Sequence, residues 1–140
     1  MPLAYNHDPR MLRLNHANLP VTEVAALRDF FVRHFAFTEI ATRGRDAMTV
    51  MRGADGFVLN LMRASATADY PRNFHVGFFV DTADDVHAKH AELRAAGIDA
   101  GAVEQLARGG FASVTFYCEA PGGVLVEVSS AIESAREAVA

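Results

Sequence analysis

Two histidines and one glutamate, far apart in the chain, lie in segments that otherwise have the composition of strands: His16, His75 and Glu127. An ionised carboxylate inside an apolar strand has to be compensated, because lost hydration is costly unless a cation, a metal or hydrogen-bond donors replace the water. Two imidazoles and one carboxylate are the facial ligand set of a divalent metal, with positions left open for substrate, water or oxygen. We therefore predict that these three residues are metal ligands.

Tyr117 is a candidate catalytic residue beside this set. It precedes Glu127 by ten positions (127 − 117), across a hairpin whose turn is Ala-Pro-Gly-Gly at 120–123. If the two strands pair, the phenol shares the face of Glu127 and can donate a hydrogen bond to a substrate oxygen. A tyrosine that fills the mouth of a pocket is an equal alternative. By strand alternation Cys118 points the opposite way, as a small core residue.

Each ligand taken alone has a plainer interpretation. A single strand histidine is more often hydrogen-bonded or solvated than metal-bound, and a single glutamate more often lies at an exposed edge. The metal hypothesis therefore depends on the three residues occupying matching places in a repeat. The other histidines do not: His7 lies in an N-terminal arm, His34 and His87 are predicted to be solvated on helices, and His90 to pack or hydrogen-bond near a helix stripe.

The first half of the chain, about 11–64, reads as strand, helix and three strands. A strand over 11–19 places His16 mid-span, and apolar residues recur at helical spacing over 23–35 after the N-cap candidate Thr22. Strands are predicted over 37–42, 47–52 and 57–63, separated by glycine-containing turns.

The second half, about 73–130, repeats this order after a linker at 65–72. A strand over 73–80 carries His75, and a helix over 83–96 begins at the start signal around Thr82 and stops at Gly97. A weak strand follows over 98–105, then strands over 111–118 and 124–129, and a tail at 131–140 that could form a short helix.

An internal repeat within one domain, 1–140, follows from this order. Placing His16 on His75 aligns strand with strand and helix with helix, and aligning the two final hairpins sets Leu61 against Glu127. An approximate two-fold axis would then bring the first strands side by side in one sheet, so that the histidines converge.

Composition restricts the partners. The net charge is −4 and the 13 Lys and Arg residues form no basic run, which argues against nucleic acid and anionic membranes and favours a small ligand. The single cysteine excludes an internal disulfide, and neither a long apolar run nor a signal-peptide pattern occurs, so we expect a reducing cytoplasm.

Three short motifs resemble the vicinal oxygen chelate superfamily, which includes glyoxalase I, extradiol dioxygenases, fosfomycin-modifying thiol transferases and bleomycin-resistance proteins. They are Leu-Asn-His-Ala at 14–17, Phe-His-Val-Gly-Phe at 74–78, and Phe-Tyr-Cys-Glu-Ala-Pro-Gly-Gly at 116–123 followed by Glu127. The resemblance covers about 11–130. It implies an α+β fold, two βαβββ modules forming a cupped mixed sheet with helices on the outer face, and usually a homodimer.

Within the superfamily the ligand set separates the activities. The ligand pattern of glyoxalase I enzymes has four members, one of them a carboxylate or its equivalent at the end of the first module. This chain has Asn60-Leu61 there. Fosfomycin thiol transferases carry a polar, cation-rich loop before the last hairpin, where residues 104–110 have one cation, and Arg136 could supply a second. Extradiol dioxygenases add a strand histidine, where this chain has only His87 and His90 on a predicted helix.

The resulting prediction is a metal-dependent enzyme, dioxygenase or lyase, with dioxygenase-like chemistry favoured over glyoxalase I. His16, His75 and Glu127 would hold Fe2+, Mn2+, Zn2+ or Ni2+, and the substrate would chelate this ion through adjacent oxygens. The apolar wall would come from Phe57, Phe79 and Phe111. The alternatives are a metal-free, bleomycin-resistance-like protein that sequesters a ligand, and a fosfomycin-type thiol transferase.

Overall fold

Two helices and nine strands make up the part of the chain that the computed structural model describes, residues 10, 12–65, 69–108 and 110–132. In chain order they are β1 (His16–Val21), α1 (Val24–His34), β2 (Thr38–Arg43), β3 (Met48–Arg52), β4 (Val58–Arg63), β5 (His75–Phe79), α2 (Ala83–Ala95), β6 (Asp99–Ala100), β7 (Glu104–Arg108), β8 (Phe111–Ala120) and β9 (Val124–Ile132). The chain has the predicted α+β fold of two cupped sheets.

Sheet one contains the first four strands in the order β1-β4-β3-β2. The first strand runs parallel to β4, and the other pairs are antiparallel. Helix α1 packs on this sheet and buries Leu27 and Phe31 completely, against a sheet face that includes Leu59 and Leu61. Helical spacing on one side and strand alternation on the other thus produce one apolar layer.

Sheet two has the order β5-β9-β8-β6, with β7 also paired to β8. Helix α2 covers it and begins as the sequence predicts: the Thr82 hydroxyl accepts from the Asp85 backbone N–H, and the Asp85 carboxylate accepts from that of Thr82. This capping box satisfies two N–H groups that the helix leaves unpaired. Gly97, with φ of 79°, follows the helix in a left-handed conformation that glycine adopts at no steric cost.

One face of each sheet is turned away from its helix, and we call it the open face. In β9, Val124, Val126 and Val128 are fully buried on the helix side, while Leu125 and Glu127 between them are only partly buried. Strand alternation therefore places Glu127 on the open face of sheet two.

Three details differ from the sequence prediction. The first strands of the two halves lie in separate sheets, where β1 and β5 are each an edge strand, so the prediction that they pair in one sheet is wrong. His16 opens β1 rather than lying mid-span, and the weak strand over 98–105 is divided into β6 and β7. Helix α1 has Glu23 at its N-cap position and no side-chain cap, so Thr22 does not cap it.

The two modules of the chain contact each other through α1. Phe78 of β5 packs against rings at the end of α1 and beyond it, with ring centroids 4.5 Å from Phe35 and 6.0 Å from Phe31. His34, predicted to be solvated, is instead buried: its Nδ1 lies 2.9 Å from Oε2 of Glu92 on α2. These contacts fix α1 against the second module.

The predicted C-terminal tail is described only in part. Strand β9 continues through Ile132, and the remainder of the tail, with Arg136, lies outside the described residues. Among the helices described, none has the length and apolar character needed to cross a membrane.

Candidate metal centre

His75 and Glu127 lie side by side on the open face of sheet two. They lie on the adjacent strands β5 and β9, and Nε2 of His75 is 3.0 Å from Oε2 of Glu127. The histidine side chain is 37% exposed and the glutamate 22%, so both are partly shielded but reachable. Two ligands bonded to one metal at the usual distances and at right angles are also about 3 Å apart.

The second ring nitrogen of His75 is occupied. Nδ1 lies 2.9 Å from the backbone oxygen of Asn73, and because a carbonyl oxygen only accepts, Nδ1 must carry the proton. In the neutral ring Nε2 then has a lone pair, directed at a carboxylate that also only accepts. The 3.0 Å contact consequently requires a proton or a cation shared by these two atoms.

Tyr117 belongs to the same face. It is the register partner of Glu127 across the β8–β9 pair, and its ring lies perpendicular to that of His75, at 88° with centroids 5.6 Å apart. In an antiparallel pair, register partners lie on one face. The pairing on which the sequence argument for Tyr117 depended is thus present.

His16 has the same local arrangement on a different sheet. Its Nδ1 is 2.7 Å from Oδ1 of Asn15, an amide oxygen that accepts, so Nε2 is again left as the free nitrogen. The ring is exposed at the start of β1, on the open face of sheet one. Both histidines therefore present Nε2 while an oxygen holds Nδ1.

Within one chain the three predicted ligands do not converge. In the described parts of the chain, no group of three or more His, Cys, Asp or Glu side chains is arranged to hold a metal ion. His75, Glu127 and Tyr117 are brought together, and His16 is not among them. A single chain thus presents a pair of ligands on one sheet and a separate histidine on the other.

Strand register identifies the counterpart of Glu127 in the first module. His16 pairs with Val58 as His75 pairs with Leu125, so Asn60, two residues beyond Val58, matches Glu127. The sequence alignment that set Leu61 against Glu127 is therefore one residue out of register. Leu61 is fully buried on the helix side, whereas Asn60 lies on the open face.

A glycine leaves room beside Glu127. Gly77 is its register partner on β5, and a Cβ atom at that position would lie 3.6 Å from Oε2 of Glu127. The matching position in the first module is Asn18. The absence of a side chain at Gly77 keeps the space next to the carboxylate open to a ligand.

An apolar cleft of about 760 Å³ lies between the modules and reaches His75. Phe57 and Phe79, predicted as wall residues, line it together with Phe35 and Phe37, whereas Phe111 is not among its lining residues. Phe111 is instead 79% exposed at the start of β8. A cleft of this size and composition suits a small molecule with an apolar body.

His90, His87 and Cys118 lie outside the candidate site. His90 hydrogen-bonds through Nε2 to the backbone oxygen of Gly101 and packs on Phe116, as predicted, and His87 is exposed. Cys118 is buried, and burial raises the pKa of its thiol to about 11, which makes it a poor nucleophile at neutral pH.

Sequence reasoning did not single out Asn15 and Asn73, the residues whose oxygens hold the two histidine Nδ1 atoms. Asn15 carries a detectable signal, because an amide next to a strand histidine is a possible second-shell partner. Asn73 acts through its backbone oxygen, which no side-chain pattern reveals.

Comparison with protein families gives one match: the model of the glyoxalase/bleomycin resistance protein/dioxygenase superfamily covers residues 13–128. None of the curated proteins compared with the sequence matches it.

Solved structures provide similar folds. A protein described as a possible glyoxalase from Bacillus cereus is 38% identical, with a TM-score of 0.71, covering 84% of this chain and 98% of its own. The fosfomycin resistance protein FosX from Listeria monocytogenes, in complex with Mn(II) and sulfate, is 18% identical, with a TM-score of 0.69 and coverage of 88% and 93%. Lactoylglutathione lyase from Agrobacterium tumefaciens is 20% identical, with a TM-score of 0.65 and coverage of 86% and 95%.

Proposed function

Because the chain belongs to the glyoxalase/bleomycin resistance protein/dioxygenase superfamily, we propose that it is a small metal-dependent enzyme whose metal site is shared between two chains. His75 and Glu127 of one chain and His16 of the partner subunit would hold a divalent ion. The substrate would chelate this ion through two adjacent oxygens.

The observation that carries this proposal is the matched state of the two histidines. In each, Nδ1 donates to an oxygen and the ring presents Nε2 on the other side, which is how metal-binding histidines are commonly oriented. In the second module that Nε2 is also 3.0 Å from a carboxylate oxygen.

The position of His16, apart from His75 and Glu127, is the reason that the proposed site uses a homodimer. Closing the two modules of one chain onto each other would disturb the packing of Phe78 against Phe31 and Phe35, and the contact between His34 and Glu92. A two-fold dimer leaves these contacts intact and uses the same patches twice, because its interface is isologous. It would contain two equivalent sites.

The side chains around the site would bind and orient the substrate. A divalent cation held there supplies Lewis-acid polarisation of the substrate oxygens. The Tyr117 hydroxyl would donate a hydrogen bond to one of those oxygens, and the gap at Gly77 would admit them beside Glu127. The apolar cleft next to His75 would take the body of the substrate and exclude water from it.

For the reaction class we propose dioxygenase-like or lyase chemistry at a three-ligand site rather than glyoxalase I chemistry. The residue that matches Glu127 in the first module is Asn60, a neutral amide, so a second carboxylate ligand is missing there. With Fe2+, Mn2+, Zn2+ or Ni2+ the site would carry one net positive charge, which favours an anionic chelating substrate. FosX, a relative in fold, binds Mn(II), which is one ion of this set.

The apolar cleft supports a second candidate, a protein that sequesters a planar ligand without a metal. Six phenylalanines are among its lining residues, and it is large enough for a drug-sized molecule. Stoichiometric ligand binding without metal would be its signature.

The direct test is elemental analysis of protein prepared without chelators, beside a His75→Ala variant. We expect about one ion per chain in the parent and none in the variant, since removal of one of three ligands leaves too few. His87→Ala is the matched control, because His87 is an exposed histidine on α2, and it should retain its metal. Full metal content in His75→Ala would refute the proposal, and a metal-free parent that binds a planar ligand would favour sequestration.

The loaded protein then separates the reaction classes. Ring cleavage of a catechol by the iron form would support dioxygenase chemistry. Formation of lactoylglutathione from methylglyoxal and glutathione would instead favour the activity named for the relative from Agrobacterium tumefaciens.

A further inference from the structure

The cleft between the modules combines an aromatic lining with one formal negative charge. Among the described residues that line it, Asp55 is the only one with a carboxylate, and none is a lysine or an arginine. The aromatic residues of the lining are Phe35, Phe37, Phe57, Phe74, Phe78 and Phe79. The volume of the cleft limits the size of a ligand, whereas this lining discriminates between ligands by their charge.

Asp55 is held by the turn between β3 and β4. The backbone N–H of Gly53 donates to the backbone oxygen of Phe57 at 2.8 Å, and the backbone N–H of Phe57 donates to Oδ1 of Asp55 at 3.0 Å. Within the described residues Asp55 forms no further side-chain hydrogen bond or ion pair. The side chain is exposed, so its second oxygen is available to a ligand.

The carboxylate and an aromatic ring border the same space. A Cβ atom at Gly53 would lie 3.0 Å from Oδ1 of Asp55 and 3.4 Å from two carbons of the Phe37 ring. The backbone of Gly53 does not have the positive φ that favours glycine, so the space beside Asp55 and Phe37 is what a larger residue would lose. Gly53 itself lines the cleft, which therefore reaches both groups.

Rings and carboxylate favour the same ligand charge. A cation over an aromatic face is attracted by the negative potential of the ring, and a carboxylate attracts it further. An anion in the same place would be repelled by Asp55, and no lysine or arginine among the described lining residues would compensate it.

We propose that the cleft binds an organic cation, with an apolar or aromatic body among the phenylalanines and an ammonium or guanidinium group at Asp55. This inference goes beyond the proposed function and does not need a metal. The two are compatible, because chelating oxygens would lie at His75 in the second module and the cationic group at Asp55 in the first.

The test is a fluorescence titration of the full-length protein with two probes that share one aromatic body, naphthylmethylamine and naphthylmethanol. The amine is protonated at neutral pH and the alcohol is neutral, and the chain has no tryptophan to obscure the naphthalene emission. At low ionic strength the protein should bind the amine about fivefold more tightly than the alcohol, the combined effect of ring contacts and an exposed carboxylate. Neither probe has two adjacent oxygens with which to chelate a metal ion.

Asp55→Asn removes the charge and keeps an oxygen that can accept from the backbone N–H of Phe57. It should weaken amine binding by about threefold and leave the alcohol within about 1.5-fold of the parent. Asp99→Asn is the matched control, because it changes the net charge equally at an exposed residue of β6 that does not line the cleft, and it should keep the preference for the amine. Asp55→Ser, whose hydroxyl can also accept at this turn, serves if the asparagine variant does not fold.

The proposal is overturned if the parent binds both probes equally or binds neither, or if Asp55→Asn keeps the full preference for the amine. An equal loss in Asp99→Asn would assign the preference to net charge and overturn it as well. Elemental analysis decides the metal site separately, so either proposal can fail while the other stands.

Discussion

The two modules share one arrangement of strands and differ in what their open faces carry. Module two presents His75 with Glu127, Tyr117 in register, and an empty position at Gly77. Module one presents His16 with an asparagine, Asn60, at the position of that glutamate. The same scaffold thus carries a histidine and a carboxylate in one half, and a histidine and a neutral amide in the other.

The difference makes the two halves of the proposed site unequal. A symmetric pair of modules would carry two histidines and two carboxylates, whereas this chain carries two histidines, one carboxylate and the neutral amide of Asn60. Both halves place a histidine at the same register position, and an oxygen engages Nδ1 in both, so each ring presents Nε2. Because Asn60 is neutral where module two has Glu127, the open face of module one lacks the negative charge at this position.

The largest expected effect is on metal affinity, and it concerns the oxygens that accept from the Nδ1 atoms of the two histidines. In module one this oxygen belongs to a side chain, and in module two to the backbone. Asn15→Ala removes the acceptor of His16 Nδ1 and should weaken metal binding by about tenfold. Asn73→Ala keeps the carbonyl that His75 uses and should leave the affinity unchanged. Competition against a fluorescent chelator measures both, and equal losses would contradict the distinction.

The helix starts provide the next contrast. Thr82→Ala breaks the capping box of α2 and should cost about 1 kcal/mol of unfolding free energy, or about 3 °C in Tm. Thr22 precedes a helix that has no side-chain cap. Thr22→Ala should therefore change Tm by less than roughly 1 °C, as a surface substitution does. Thermal melts followed by circular dichroism compare them, and a larger shift for Thr22→Ala would reverse the assignment.

The smallest effect concerns the contact between the modules. Burial opposes ionisation of Glu92, but hydrogen bonds from Lys89 and His34 outweigh it and lower its pKa from the ordinary 4.5. The charged carboxylate therefore stabilises the folded chain above about pH 4.5, and this contribution is lost as pH falls through the lowered folded pKa. Urea unfolding between pH 6 and roughly 3 should show a steeper loss in the parent than in Glu92→Gln, and parallel curves would contradict the linkage.

Much of the fold was predictable because strand and helix periods repeat twice in a short chain. The helix stripes, the turn glycines and the start signal at Thr82 are local features, and the structure contains them. The cap at Thr22 was predicted wrongly because residue type suggests a cap only where the backbone lets the side chain reach a free N–H.

The site was predicted less completely, because it depends on register and on assembly. A slip of one residue moves a side chain to the other face, and low identity between the hairpins did not distinguish Asn60 from Leu61 as the match of Glu127. The separation of His16 from the other two residues is a property of how the modules pack, which no pattern in either module encodes.

The most direct test of the shared site is subunit complementation between His16→Ala and His75→Ala chains, coexpressed with different tags and purified as the mixed dimer. Each variant alone should bind no metal. In the mixed dimer one site would combine His75 and Glu127 of the first chain with the intact His16 of the second, so we expect about one metal ion per dimer. A mixed dimer without metal, beside a parent that binds it, would contradict a site built between chains.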